Sequence, residues 1–307
     1  MVKSGQASWI FIIIIIAFFL SDRVIAFCLD EITSRSQIRF SKLYRGTIDA
    51  SIVILGNSRG VNSFFSPAIK KRSGLRAFNL SYNGMSISIA RDLFIDYLEH
   101  NRRPSILVLE ISCLHSSDEL INNLKQYVQK SKRIEKLFKQ YNKSAYYASL
   151  LFHTYKFNSE YFLRTLYYLN RSDQIWINRY MINEAYYRNY SPKNLDRQMF
   201  SYIDPEDLSV VKEILDVAQK NEIEVRLFIS PYLNKYIEGI PMFVSWKKKL
   251  EVALQTNLWD YASAIYDWHY FADALHLNYE GSIILLDKLY EDGFFNFIKD
   301  PRNIYPN

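Results

Sequence analysis

Ile52-Val53-Ile54-Leu55-Gly56-Asn57-Ser58-Arg59 is four aliphatic residues cut off by a glycine and then by polar side chains. An unbroken aliphatic run of this length, bounded by turn residues, predicts a strand buried on both faces, the habit of a parallel sheet. Gly56 permits a sharp turn, and that turn displays Ser58 at the carboxyl end of the strand. Open α/β sheets place their sites there.

Outward from this segment, strand signals cover 51–55, 75–80 and 105–112, with a helical stretch from Ser86 to His100 between the last two. This β-α-β rhythm predicts a parallel sheet. The alternation resumes late in the chain. Asp204 caps a helix from Pro205 to Lys220, Glu224 to Pro231 reads as a buried strand ended by proline, and Pro241 to Thr256 as a helix. The fold expected is α/β, a three-layer α/β/α sandwich with a central parallel sheet like that of flavodoxin. Residues 115–204 differ in texture, rich in Tyr, Asn, Lys and Arg at helical spacing, and predict a helical insertion in one domain spanning 31–307. Tyr186-Tyr187-Arg188-Asn189-Tyr190 within it has two readings, a platform that stacks on sugar rings or ordinary helical core.

A second segment completes a chemical set. Asp273-Ala-Leu-His276-Leu-Asn278 precedes Gly281 and the amphipathic Ile283–Leu289, so Asp273 and His276 sit on a loop before a helix. A serine hydroxyl is a poor nucleophile at neutral pH; it needs an imidazole to take its proton and a carboxylate to fix the tautomer. Ser58, His276 and Asp273 are the candidates. Alone, a Gly-Asn-Ser turn is a common loop and Asp-x-x-His a common cap with a surface histidine. Together, at opposite ends of one α/β region, they point to a site.

These residues resemble the SGNH/GDSL hydrolase superfamily. Gly56-Asn57-Ser58 is similar to its nucleophile turn, with Asn where the family has Asp, and Asp273-Ala-Leu-His276 to its C-terminal block. The flavour is that of the membrane-anchored cell-envelope branch, similar to alginate O-acetyltransferase-like proteins and the D-alanyl-lipoteichoic acid transfer protein. The resemblance covers about 48–114 and 205–295 and implies an SGNH-type fold. It also implies an oxyanion hole formed by the N–H of Ser58 and of Gly84, in Phe78-Asn-Leu-Ser-Tyr-Asn83-Gly84, with Asn83 as a further donor or a turn residue. The family's third block, a Gly-x-Asn-Asp, is absent: the chain reads Ile106-Leu-Val-Leu-Glu110-Ile-Ser112-Cys113. Arg59 is expected either to orient a donor or anionic group of the substrate or to face outward.

At the N-terminus, Trp9 to Leu20 is uninterruptedly apolar, Ser21-Asp22-Arg23 breaks the run and Val24 to Leu29 resumes it. Counted through the break, it suits a single membrane-spanning anchor over residues 1–30, with Asp22 and Arg23 paired or snorkelling. A cleaved signal peptide ending at Val24-Ile-Ala26 is the rival. Arg23, Arg35, Arg39, Lys42 and Arg45 follow the run, so the charge count does not favour an outside domain; that placement follows from the resemblance. Cys28 and Cys113 make no disulfide framework.

A net charge of +6 suits an anionic membrane or polymer, while the basic triplets Lys70-Lys71-Arg72 and Lys247-Lys248-Lys249 read as solvated helix faces rather than a nucleic-acid motif. His100, His115, His153 and His269 are scattered; no metal-ligand cluster, phosphate loop or cofactor is expected. The function expected is a membrane-anchored serine O-acyltransferase or esterase on a cell-envelope polysaccharide. Two alternatives stand beside it: a noncatalytic envelope protein that binds a polymer or a multispanning acyl-donor partner, and a lipase or small-ester hydrolase.

Overall fold

The computed structural model describes residues 4–112, 114 and 120–296. Cys113 and His115 lie outside them. The chain forms two compact units, one of residues 1–45 with 121–172, the other of 46–120 with 173–307.

The second unit is built on a five-stranded, wholly parallel sheet. Its strands are β1 (Ile52–Leu55), β2 (Ala77–Asn79), β3 (Ile106–Glu110), β4 (Glu224–Ile229) and β5 (Trp259–Asp260), in the order β2-β1-β3-β4-β5. Every residue of β1 and β3 is buried, which is why both read as continuous apolar runs. The path from β1 runs one way to β2 and then reverses across the sheet to β3, β4 and β5. Right-handed crossovers therefore place the connecting helices on opposite faces. The helix pairings agree: Ile87–His100 packs on Pro205–Lys220, while the last helix, Tyr279–Glu291, packs on Ser58–Ser63 and Ser66–Ser73. The α/β class, the parallel sheet and the three layers are as expected.

Caps fix where these helices start. Ser86 Oγ accepts from Ile89 N–H, Asp204 precedes Pro205 and accepts from Glu206 N–H, and Asn278 accepts from Gly281 N–H. Strand order reverses between β1 and β3, and in a 2-1-3-4-5 sheet the carboxyl ends at that point form the crevice. Ser58 follows β1 and Ser112 follows β3.

The first unit is helical. Ser4–Arg35 is one continuous helix whose portion Ser8–Arg35 is long and apolar enough to cross a membrane. Its later turns pack against His153–Phe157 and Glu160–Tyr167. The unit's centre is aromatic: Phe40 stacks on Tyr161 at 5.4 Å, and Tyr127, fully buried, shares a 2.8 Å hydrogen bond with Ser41.

Candidate active site

Ser58 opens a short helix, Ser58–Ser63, directly after the turn that ends β1. Asn57 caps it, its Oδ1 accepting from Arg59 N–H at 2.9 Å. The turn crosses close over β3: a Cβ on Gly56 would stand 2.7 Å from Glu110 Cβ, so only glycine fits. Two asparagines fasten the helix. Asn62 Nδ2 donates to Ser58 O (2.8 Å) while its Oδ1 accepts from Asn178 N–H, and Asn79 Nδ2 donates to Gly60 O and Phe64 O. The Ser58 N–H lies in the first helical turn, where geometry leaves amides without intrahelical partners.

The segment 270–278 folds as a tight loop, held by an antiparallel bridge between Phe271 and Leu277 and by Ala272 N–H donating to His276 O. Asp273 Oδ1 accepts from the N–H groups of Leu275 (2.7 Å) and His276 (2.9 Å), which fixes the carboxylate before the imidazole arrives. His276 Nδ1 lies 2.9 and 2.8 Å from the two Asp273 oxygens, and its Nε2 lies 2.8 Å from Ser58 Oγ. Ser58, His276 and Asp273, 218 positions apart at the extremes, are thus in one hydrogen-bonded line. Burial pushes the Asp273 carboxyl up, but the hydrogen bond and charge of His276 and the two amides outweigh it and hold it below the usual carboxylate range. Gly281 marks how closely the following helix meets the loop, since a Cβ there would stand 2.1 Å from Tyr270 O.

Arg59 is buried, with 3% of its surface exposed. All three guanidinium nitrogens donate inside the unit. Nε donates to Ser112 Oγ (2.7 Å), Nη2 to Ser230 O and Pro231 O (2.7 and 3.0 Å), and Nη1 to Leu275 O. Its plane lies over the Tyr232 ring at 3.5 Å. Ser112 Oγ in turn donates to Glu110 Oε1, which lies 3.6 Å from Arg59 Nε. Burial pushes the Glu110 carboxyl up, against the opposing charge of Arg59 and the N–H groups of Ser230 and Ser112. One guanidinium therefore joins the ends of β1, β3 and β4 to the residue before His276. Sequence reading missed Glu110, Ser112 and Asn62; the signal available was a charged residue at the end of a wholly apolar strand.

Asn83 and Gly84 form the exposed tip of a turn closed by Met85 N–H donating to Tyr82 O, with Gly84 at φ +70°. Tyr82 N–H donates to Gly56 O, so this turn is tied to the nucleophile loop. Neither Asn83 nor Gly84 hydrogen-bonds to the three aligned residues among the described residues. Tyr186 is partly exposed and lies near Asp273, whose charge, after burial, pushes the phenol up while a bond from the Ala274 backbone opposes it. Tyr187 stacks on Trp268 at 5.7 Å, which joins the segment to the loop before Asp273. A groove of about 670 Å³ beside Ile240, Phe243, Lys247, Trp259, Tyr261 and Lys288 is lined by neither Ser58 nor His276.

No family model matches the sequence, and no curated protein matches it. Among solved structures the chain is similar to a Bacteroides fragilis protein proposed to be an acylhydrolase, at 13% identity over 80% of this chain and 86% of that one, with a TM-score of 0.39. It is also similar to a Streptococcus pneumoniae protein proposed to be a platelet activating factor, at 10% identity over 92% and 98%, with a TM-score of 0.42.

Proposed function

We propose that this chain is a serine acyl-transfer enzyme, an O-acyltransferase or esterase held at a membrane by its N-terminal helix and O-acetylating or deacetylating a cell-envelope polysaccharide. The observation that carries the reading is the Ser58–His276–Asp273 line, with 2.8 Å from Oγ to Nε2 and both Asp273 oxygens on Nδ1. Asp273 holds the proton on Nδ1, which leaves Nε2 as an acceptor facing Ser58. Oγ attacks the acyl carbonyl as its proton passes to Nε2. The N–H of Ser58, with that of Gly84, takes the oxyanion. The tetrahedral species collapses when His276 returns the proton to the leaving alcohol, giving an acyl-serine. A sugar hydroxyl or water, deprotonated by His276, then attacks the acyl-serine, and Ser58 leaves with its proton. Transfer and hydrolysis differ only in that second nucleophile. In this reading the catalytic domain lies outside the cytoplasmic membrane, as the family resemblance implies.

A second reading, a noncatalytic SGNH-like envelope protein binding a polymer or a multispanning acyl-donor partner, is favoured by one observation. At the end of β3, near where a third oxyanion donor would stand, the chain carries the buried Glu110 acceptor. Mass spectrometry of the full chain after exposure to an activated acetyl ester separates the two. An acetyl adduct on Ser58, lost in Ser58→Ala, is expected; a folded wild type with neither adduct nor ester turnover supports the binding protein instead.

A further inference from the structure

Ser4–Arg35 is 32 residues long, about 48 Å of helix at 1.5 Å per residue, far more than a hydrocarbon core of about 30 Å requires. The stretch from Trp9 to Phe27, about 28 Å, matches that thickness; its only charged residues are the pair Asp22 and Arg23, and charge resumes at Asp30, paired with Lys130 at 2.9 Å. Asp22 then falls inside the span rather than at its edge.

That acid is 6% exposed and fully engaged. It accepts from His153 N–H (2.7 Å), Thr154 N–H (3.0 Å), Thr154 Oγ1 (2.6 Å) and Arg23 Nη1 (2.7 Å), and the same Arg23 nitrogen donates to Leu151 O at 3.0 Å. Phe152 packs against Phe18 and Phe19, with ring centres 6.1 and 6.0 Å away. Residues 151–154 are therefore fastened to a level of the helix that lies inside the apolar span. An ionisable group in a membrane is found paired and turned to protein, and backbone at that depth is tolerated where protein satisfies it.

The helix leading into this segment, Lys143–Leu151, buries Ala145, Tyr146 and Ser149 and exposes Tyr147, Leu150 and Leu151. Those three lie at i, i+3 and i+4, an apolar stripe where a water-facing helix carries polar residues. On the N-terminal helix, Val24, Ile25 and Phe27 are also exposed, Phe27 at 73%.

We infer that helix Lys143–Leu151 is a membrane-seated element, its Tyr147/Leu150/Leu151 face lying in the lipid interface beside the N-terminal helix. The helical unit is then embedded in the bilayer margin and not merely tethered to it. The inference rests on the reading that the N-terminal helix is inserted. The occupant is lipid, because the stripe is fastened to a helix whose exposed surface is apolar on all sides from Trp9 to Leu20.

The test uses the full chain in phosphatidylcholine vesicles, with an environment-sensitive fluorophore on single cysteines introduced as Leu20→Cys, Leu150→Cys, Leu151→Cys or Val252→Cys, in a Cys28→Ser, Cys113→Ser background. These side chains are all exposed, so the labels leave both cores intact. Expected are blue-shifted emission at Leu150 and Leu151, quenched most by lipids spin-labelled near the headgroup. Leu20 is expected to be quenched by lipids labelled deep in the chain, and Val252 by neither. Quenching at Leu20 with Leu150 and Leu151 behaving like Val252 overturns the inference while leaving the anchor. No quenching at Leu20 overturns both.

Discussion

Asp273 is the residue whose chemistry can be pressed hardest. Its Oδ1 serves the Leu275 and His276 amides as well as the imidazole, so an asparagine keeps the turn by presenting its own carbonyl there. Its amide NH2 then replaces Oδ2 against Nδ1. Two donors cannot face each other, so the imidazole carries its proton on Nε2 and cannot accept one from Ser58. Asp273→Asn is expected to lower kcat about 10⁴-fold with little change in KM, measured on an activated ester. A fall below tenfold would remove Asp273 from the machinery. The same carboxyl carries a linkage signature. Its folded value lies below the usual carboxylate range, so its stabilising contribution is present above the unfolded value and is lost as pH falls through the folded one. The Tm gap between wild type and Asp273→Asn should be open at about pH 5 and above and close as pH falls below the usual carboxylate range.

The strand ends at the crevice are held by one side chain, and this element-scale tie was the part of the site least legible in sequence. β1 and β3 announce themselves as apolar runs because both their faces are buried, and β4 does so only in its later half, Leu227 to Ile229; β5 is two residues, Trp259–Asp260, too short to carry a pattern. Ser58, His276 and Asp273 are legible only as a set, since each short motif alone has a common loop or cap reading. Arg59 looks like a surface charge until its acceptors are known, and Leu275 lies 216 positions away. A buried ion pair that loses one member costs about 3–5 kcal/mol, so Arg59→Met should be strongly destabilised in chemical denaturation. Arg59→Lys keeps the charge but cannot reach Ser112, Leu275 and Ser230 together. The His276 loop should then shift, lowering kcat on the order of 10²-fold while the Ser58 adduct still forms slowly. Unchanged kcat in a folded Arg59→Lys protein would reduce the residue to a structural strut.

At the scale of the whole molecule, the chain passes between its two units three times, and each unit has a core of its own. Helical texture runs from about 115 to 204 in the sequence. Compactness divides that stretch, residues 121–172 joining 1–45 and those from 173 onward joining the sheet. Periodicity reports which face of a helix is apolar, whereas only packing reports which core that face enters. Asp22 offers a way to disturb one core alone. Asp22→Ala removes the acceptor of two backbone N–H groups and one hydroxyl, and hydrogen bonds to a charged group are worth about 1.5–3 kcal/mol each. The orphaned amides of His153 and Thr154 add their own desolvation cost. Hydrogen exchange followed by mass spectrometry should show faster exchange across 18–33 and 152–167, the segments packed around that acid. Peptides covering β1, β3 and β4 should keep their wild-type protection, and Ser58 should still take up acetyl from an activated ester. Equal acceleration in the sheet peptides would mean that the two cores open as one cooperative body, and the acyl adduct would then be lost along with the protection of β1.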